Sequence, residues 1–290
     1  MRLNSCRAEL EIIDSSIESK SVNDFYPVVF KKIIDDGCAD SIFYFSHTDD
    51  KKFPWPTSDF ESLQVDAKKV LVNYSRSFSY SEDDSFLYIK SLTNHRSLEF
   101  LLELIFCQKV SVIIASVNSF LLLADFTHQK GVNLSSISSV RALMIDGFSI
   151  SDAMIKNLKS IWGLDLVCNV DLTVDTDSNL NQQSSRELNL DRCAFTNVQV
   201  EQAILQGVTH VLSYHLMVCK NNTVIIRMEI DSEKIADKKQ FIKSVETNVY
   251  KELGVRATVI ISGGLNQGFY QGVESTWQSA RVIDARKYSL

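Results

Sequence analysis

Proline is almost absent from this chain of 290 residues: there are three, Pro27, Pro54 and Pro56, all in the first fifth. Beyond residue 56 nothing therefore fixes φ or removes a backbone donor from a regular element. Glycine is nearly as sparse, with ten in all and none between Gly37 and Gly131. A loop that brings backbone amides close to a phosphate depends on glycine. A glycine-rich phosphate cradle is thus excluded from residues 38–130. Six cysteines, at 6, 38, 107, 168, 193 and 219, form no CxxC pair and read as small buried hydrophobes. Five histidines are equally dispersed. His210 and His215 fall in a strand-like stretch on opposite faces, so no metal site is expected.

No long apolar run occurs either. The most apolar region, 110–124, contains Ser111, Ser116, Asn118 and Ser119 and is shorter than a bilayer span needs. Residues 1–16 are charged throughout and show no apolar signal core. The expectation is a cytoplasmic protein without a membrane partner. A net charge of -6, mixed along the chain, argues against nucleic acid as a partner, since phosphate-backbone binding needs a basic face.

What is present is an ordinary globular composition, 45% hydrophobic and 23% charged, enough for a sizeable core. Residues 1–60 carry a helical pattern (Leu10, Ile12, Ile13, Ile17, then Phe25, Val28, Val29, Ile33, Ile34) that ends at KKFPWPTSDF, 51–60. A short helix is expected over 61–72 and a strand over 86–89. Helix 97–108, strand 110–115, helix 119–130 ended by Gly131, strand 140–145, helix 152–162 closed by Gly163 and strand 164–170 then alternate. That spacing predicts a parallel α/β sheet. A polar stretch, DTDSNLNQQSSRELNLDR at 175–192, separates it from the remainder. There a helix over 198–205, strands over 210–219 and 223–230 joined at Lys220-Asn221-Asn222, a helix over 232–253 capped by Gly254 and a strand over 255–261 predict a small α+β unit. The expected division is an α/β domain over 1–180, a linker over 181–194 and an α+β domain over 195–290.

Four stretches carry a family resemblance. The run 110–170 follows a strand, helix, "small-Gly-Glu-Pro" turn, helix and strand. FTNVQVEQAIL, 195–205, matches the segment that opens a small C-terminal domain; the hairpin and long helix after it match in order; and SARVIDARK, 279–287, resembles a closing "KAKRVIDRR". In that order they resemble the phenylacetate–CoA ligase branch of the adenylate-forming superfamily. The resemblance implies a large α/β domain, mostly parallel sheet with helices and here reduced, followed by a small α+β domain. It implies a site between them and an activity that makes an acyl-adenylate from ATP and a carboxylic acid, then passes the acyl group to coenzyme A.

Against that pattern this chain departs at each chemical position. The glycine-free region stands where the family has its phosphate loop, and the nearest candidate is LTNHRS, 92–97. The turn Asp146-Gly147-Phe148-Ser149 keeps the glycine but has Phe148 and Ser149 in place of Glu and Pro. NVDLTVD, 169–175, stands for "Tyr-Gly-x-Thr-Glu" without its aromatic, glycine or aligned glutamate, although Asp171, Thr173 and Asp175 line it. The polar stretch 175–192 replaces the segment that holds ribose and carries the hinge. Gln278 occupies the place of the adenylating lysine, whose charge serves the reacting phosphate, while Arg281-Val282-Ile283-Asp284 is kept.

The expectation is a CoA ligase-like pseudoenzyme with no catalytic residue and no cofactor of its own. Asp146, Gly147, Phe148, Ser149, Asp171, Thr173 and Arg281 would line its vestigial groove. Its partner would be a carrier protein or an enzyme of an acyl or polyketide-type biosynthetic pathway. The alternative is an active ligase or acyl transferase, using ATP, Mg and CoA through a rebuilt or partner-completed site. Trp162 reads as core, Trp277 as an anchoring aromatic, SEDDS (81–85) as a solvated loop, and Arg286 and Lys287 as solvated charges.

Overall fold

The computed structural model describes residues 26–35, 38–46, 84–92, 95–137, 139–146, 150–170, 188–190, 193–219, 223–262, 282–284 and 286. A six-stranded sheet runs in sequential order, β1 (Tyr26–Asp35), β2 (Cys38–Ser46), β3 (Phe86–Ser91), β4 (Val112–Ala115), β5 (Ala142–Asp146) and β6 (Leu166–Val170). The first three strands pair antiparallel and the last four parallel. Helices α1 (His95–Cys107), α2 (Val117–Gln129) and α3 (Asp152–Trp162) make the crossovers between the parallel strands. Right-handed crossovers in a sequential sheet bring all three helices to one face. The buried cluster accordingly joins Leu87, Ile89, Ile113, Ala115, Leu143 and Ile145 to the helices. Phe86, Tyr88, Val112, Ile114, Ala142 and Met144, which alternate with them, are buried as well, as in a parallel sheet covered on both faces.

The helical reading of 25–34 is corrected. Val28, Val29, Ile33 and Ile34 lie in β1, which pairs with β2 from Tyr26 opposite Ser46 to Asp35 opposite Cys38. β-Branched and aromatic residues favour the pleated surface. The two residues left between the strands, Asp36-Gly37, are a hairpin signal that the apolar spacing masked. The expectations over 1–24 and 61–72 lie outside the described residues.

The second half begins inside the expected linker. β7 (Leu188–Leu190) and β8 (Cys193–Phe195) pair antiparallel, with Leu188 and Leu190 buried. Then α4 (Asn197–Leu205), β9 (Val211–Val218), β10 (Val224–Ile230), α5 (Lys238–Leu253), β11 (Ala257–Ile261) and β12 (Val282–Asp284) follow, and the sheet order is β11-β10-β9-β12. β9 and β10 are antiparallel; β11 and β12 flank them in parallel. The fold is thus α/β followed by α+β, as the sequence predicts. Helix α5 starts later than residue 232, because the Asp237 carboxylate accepts from Gln240 N at 2.9 Å and fixes the N-cap there.

Between the sheets lies α2, buried at every position from Ser119 to Thr127. Its unbroken SFLLLADFT run is explained by a helix covered on all sides. It packs on β9 as well as on α3, and α3 packs on both α4 and β9. One hydrophobic core therefore runs through both halves. Trp162 is buried in it, its ring set edge-on to Phe120 at 5.8 Å.

Candidate functional site

In an open parallel sheet, ligands bind beyond the carboxyl ends of the strands, against the N-termini of the helices that follow. Here that end is formed by Leu92 after β3, Ser116 after β4, Asp146 closing β5 and Ser151 before α3. Leu92 is buried, and α1 begins at His95. Only residues 92–94 link strand to helix, and three of the six residues of the LTNHRS candidate, His95 to Ser97, are already helical. Ser116 caps α2 by accepting from Ser119 N at 3.2 Å. Asp146 accepts from the Tyr88 hydroxyl at 2.8 Å, across β4 and on the sheet face away from the helices.

The N-terminus of α3 carries more polar contacts. Its N-cap, Ser151, accepts from Met154 N at 3.1 Å. The Glu201 carboxylate, on α4, accepts from both Ser151 N and Ser151 Oγ at 2.9 Å and from the Tyr214 hydroxyl at 3.4 Å. Gln202 Oε1, beside it, accepts from Ala153 N at 3.1 Å. Three amide donors at this terminus, Ser151, Ala153 and Met154, thus have acceptors within the chain. A carboxylate occupies the place where the helix dipole favours an anion. These residues do not fit a nucleotide phosphate at α3.

Further along α3, Asn157 is fully buried and binds Val211 at two points. Its Nδ2 donates to the Val211 carbonyl at 2.8 Å and its Oδ1 accepts from Val211 N at 2.9 Å. One turn on, Ser160 Oγ lies 2.9 Å from His210 Nε2. His210 has φ +62°, a left-handed conformation next to the first residue of β9. Burial pushes its imidazole pKa down, which Asp231 opposes and Lys234 reinforces. His128 on α2 stands 3.9 Å from the same Asp231. Cys168 in β6 has its thiol pKa pushed up by burial, offset in part by Lys159.

At the opposite end of the parallel strands a second polar cluster ties their starts together. The buried Asp84 takes a two-pronged contact from Arg141, Nε to Oδ1 at 2.7 Å and Nη2 to Oδ2, and accepts from Ser111 Oγ at 2.8 Å. The hydrogen bond to Asp84 raises the Arg141 pKa further. Asp84 is therefore a structural carboxylate, not part of a solvated loop; residues 81–83 lie outside the described residues.

Of the expected groove residues, Asp146 is described and sits at the carboxyl end of the sheet. Gly147, Phe148, Ser149, Asp171, Thr173, Arg281 and the lost lysine position Gln278 lie outside the described residues, as do Trp277 and Lys287. Val282 to Asp284 of the closing motif form β12, which extends the second sheet beside β9. Arg286, expected as a solvated charge, donates to the Asn189 carbonyl at 2.7 Å. Among the described residues no group of three or more His, Cys, Asp or Glu is placed to hold a metal ion, and no helix is long and apolar enough to cross a membrane. The interface residues Asn157, Glu201 and His210 carry no motif. The one sequence signal was an acidic and an amide residue on a helix expected to bury its apolar side.

No protein-family model matches the chain, and no curated protein does. Among solved structures, it is similar to 2-hydroxyisobutyryl-CoA ligase in the postadenylation state with R3-HIB-AMP. Identity is 11%, TM-score 0.48, and the match covers 67% of this chain and 58% of that one. The same enzyme with 2-HIB-AMP gives 10% identity and TM-score 0.45 over 64% of this chain and 57% of that one. The matched part is well under two thirds of the ligase's length. Likeness at this level says nothing of substrate or chemistry.

Proposed function

We propose that this chain is a CoA ligase-like protein that does not form an acyl-adenylate on its own. It serves as a cytoplasmic, non-catalytic partner of a carrier protein or pathway enzyme in acyl or polyketide-type biosynthesis. The observation that carries the reading is the filled anion position. At the carboxyl end of the parallel strands, the N-terminus of α3 holds Glu201 and Gln202 instead of open amides. The short connection from β3 to α1 and the glycine-free stretch around it support the same reading, because a phosphate cradle needs both length and backbone freedom. Gln278 at the lysine position adds to it. The four resembling stretches stand along the chain in the order that the resemblance calls for, which supports descent from a ligase.

The test is acyl-dependent pyrophosphate exchange by the purified chain with ATP, Mg and a panel of carboxylic acids. No rate above the acid-free background is expected. An acid-dependent rate would overturn the reading and favour the active-ligase alternative. Affinity capture from the native host is expected to retain a carrier protein or an acyl-pathway enzyme. Recovery of neither would remove the partner role.

A further inference from the structure

We infer that the two halves are latched into one arrangement by buried polar side chains, so that the α+β half does not pivot on the α/β half. The inference rests on the interface geometry and not on the functional reading above. Two contacts of different kinds meet on α3. At its N-terminus, Glu201 and Gln202 of α4 take hydrogen bonds from Ser151 and Ala153. At its middle, Asn157 pairs with both backbone groups of Val211.

The second contact is the more restrictive. A strand residue's N–H and C=O point to the same side, and Val211 presents both to Asn157, while the preceding His210 carbonyl accepts from Asp231 N on the β10 side at 3.0 Å. The edge of β9 away from β10 is thus occupied by Asn157 at its start and by β12 at its end, Val282 to Asp284 beside Leu216 to Val218. A side chain of α3 acts as one rung of the second sheet. Glu201 is 4% exposed and Asn157 0%. Rotating the halves apart would strip the donors from a buried carboxylate, both partners from a buried amide and the acceptors from backbone N–H groups together. It would also divide the apolar core that α2 shares with β9. Hinged domains meet through modest polar surfaces, and this interface is instead part of the core.

Hydrogen exchange on the full chain tests the latch. The amides of Ser151, Ala153, Met154 and Val211 are expected to exchange only as slowly as core amides such as Ile114 and Leu216, through global unfolding. That protection is expected to stay unchanged when ATP, Mg, a carboxylic acid and CoA are added. Exchange of these four amides at least tenfold faster than the core, or a loss of protection on adding the ligands, would overturn the latch. As a second arm, Asn157→Ala is expected to speed exchange at Val211 and Ser151 about 30- to 1,000-fold, through the loss of both hydrogen bonds and the cavity left behind. An Asn157→Ala pattern that leaves both amides at wild-type rates would also overturn it. Pyrophosphate exchange with an intact latch would sink the proposed function and leave this inference standing.

Discussion

Glu201 takes both hydrogens that Ser151 offers, its N–H and its hydroxyl, each at 2.9 Å from the same carboxylate oxygen. The pair lies 50 residues apart in sequence and joins the α/β half to the α+β half. Ser151 is at once the cap of its own helix and the donor to a neighbouring one. Its hydroxyl accepts from Met154 N and donates to Glu201, so neither role competes with the other. The Glu201 chain thereby fills the positive end of α3 as a bound anion would.

The first prediction separates charge from hydrogen bonding at that pair. Glu201→Gln keeps an acceptor for Ser151 and is expected to lose about 1 kcal/mol of unfolding free energy. Glu201→Ala leaves the buried donors of Ser151 and Tyr214 without this acceptor and is expected to lose about 2–4 kcal/mol. Urea denaturation of the three proteins checks the order. Equal losses in both variants would mean that the carboxylate is not an acceptor for Ser151.

Asn157 supports a second and sharper ranking. Asn157→Ala opens a small cavity and strands two backbone groups of Val211, an expected loss of about 2–4 kcal/mol. Asn157→Asp preserves shape but replaces the donor facing the Val211 carbonyl with a carboxylate oxygen. A buried charge against a carbonyl is the worse outcome, so the aspartate variant is expected to be the less stable of the two near neutral pH. Melting both in parallel decides it, and a more stable aspartate would mean that the Nδ2 contact is not made.

Much of this fold was legible because its boundaries are signalled locally. Ser151 and Gly163 bracket α3, Thr196 and Gln199 form a reciprocal cap that opens α4, and Gly254 closes α5 at φ +71°. The alternation of strands and helices from 86 to 170 therefore carried over, with boundaries within about two residues of those expected. The hairpin of β1 and β2 did not, because Val28, Val29, Ile33 and Ile34 satisfy a helical spacing as readily as a strand's. Only the Asp-Gly between the strands distinguished the two. The candidate site was legible at Asp146 alone among the described residues. Asn157 and Glu201 were not, since their partners are 54 and 50 residues away and no local pattern announces a tertiary contact.

Two C-terminal glycines of helices allow strain and crowding to be told apart. Gly163 has φ +65°, and a Cβ there would stand 2.6 Å from Ser135 Cβ and 3.3 Å from its Cα. Gly254 has φ +71° with nothing within 4 Å of the same position. Gly254→Ala is expected to cost about 1 kcal/mol, the left-handed penalty alone. Gly163→Ala adds a clash with Ser135 Cβ and is expected to cost at least about 1 kcal/mol more. Comparing the two unfolding midpoints tests this, and similar losses would mean that Ser135 can move aside.

His210 gives a prediction for pH, with its sign set by burial. Its pKa is lowered from the ordinary 6.5, chiefly because burial disfavours the imidazolium; Asp231 opposes that shift and Lys234 adds to it. The other groups facing it are Ser160, at 2.9 Å from Nε2, and His128, which reaches the same Asp231. The unfolded chain therefore takes up this proton at a higher pH than the folded one. Stability contributed by His210 is fully present above the unfolded value, falls as pH drops through about 6.5, and stops falling below the folded pKa. His210→Asn removes the titration while keeping a residue that tolerates φ +62°. The unfolding free energy of the wild type minus that of the variant is expected to rise from pH 5 to pH 7 and then level. A difference that stays flat across that range, or that grows towards acid, would show that the imidazole is free to charge in the folded protein and that the Ser160 contact does not restrain it.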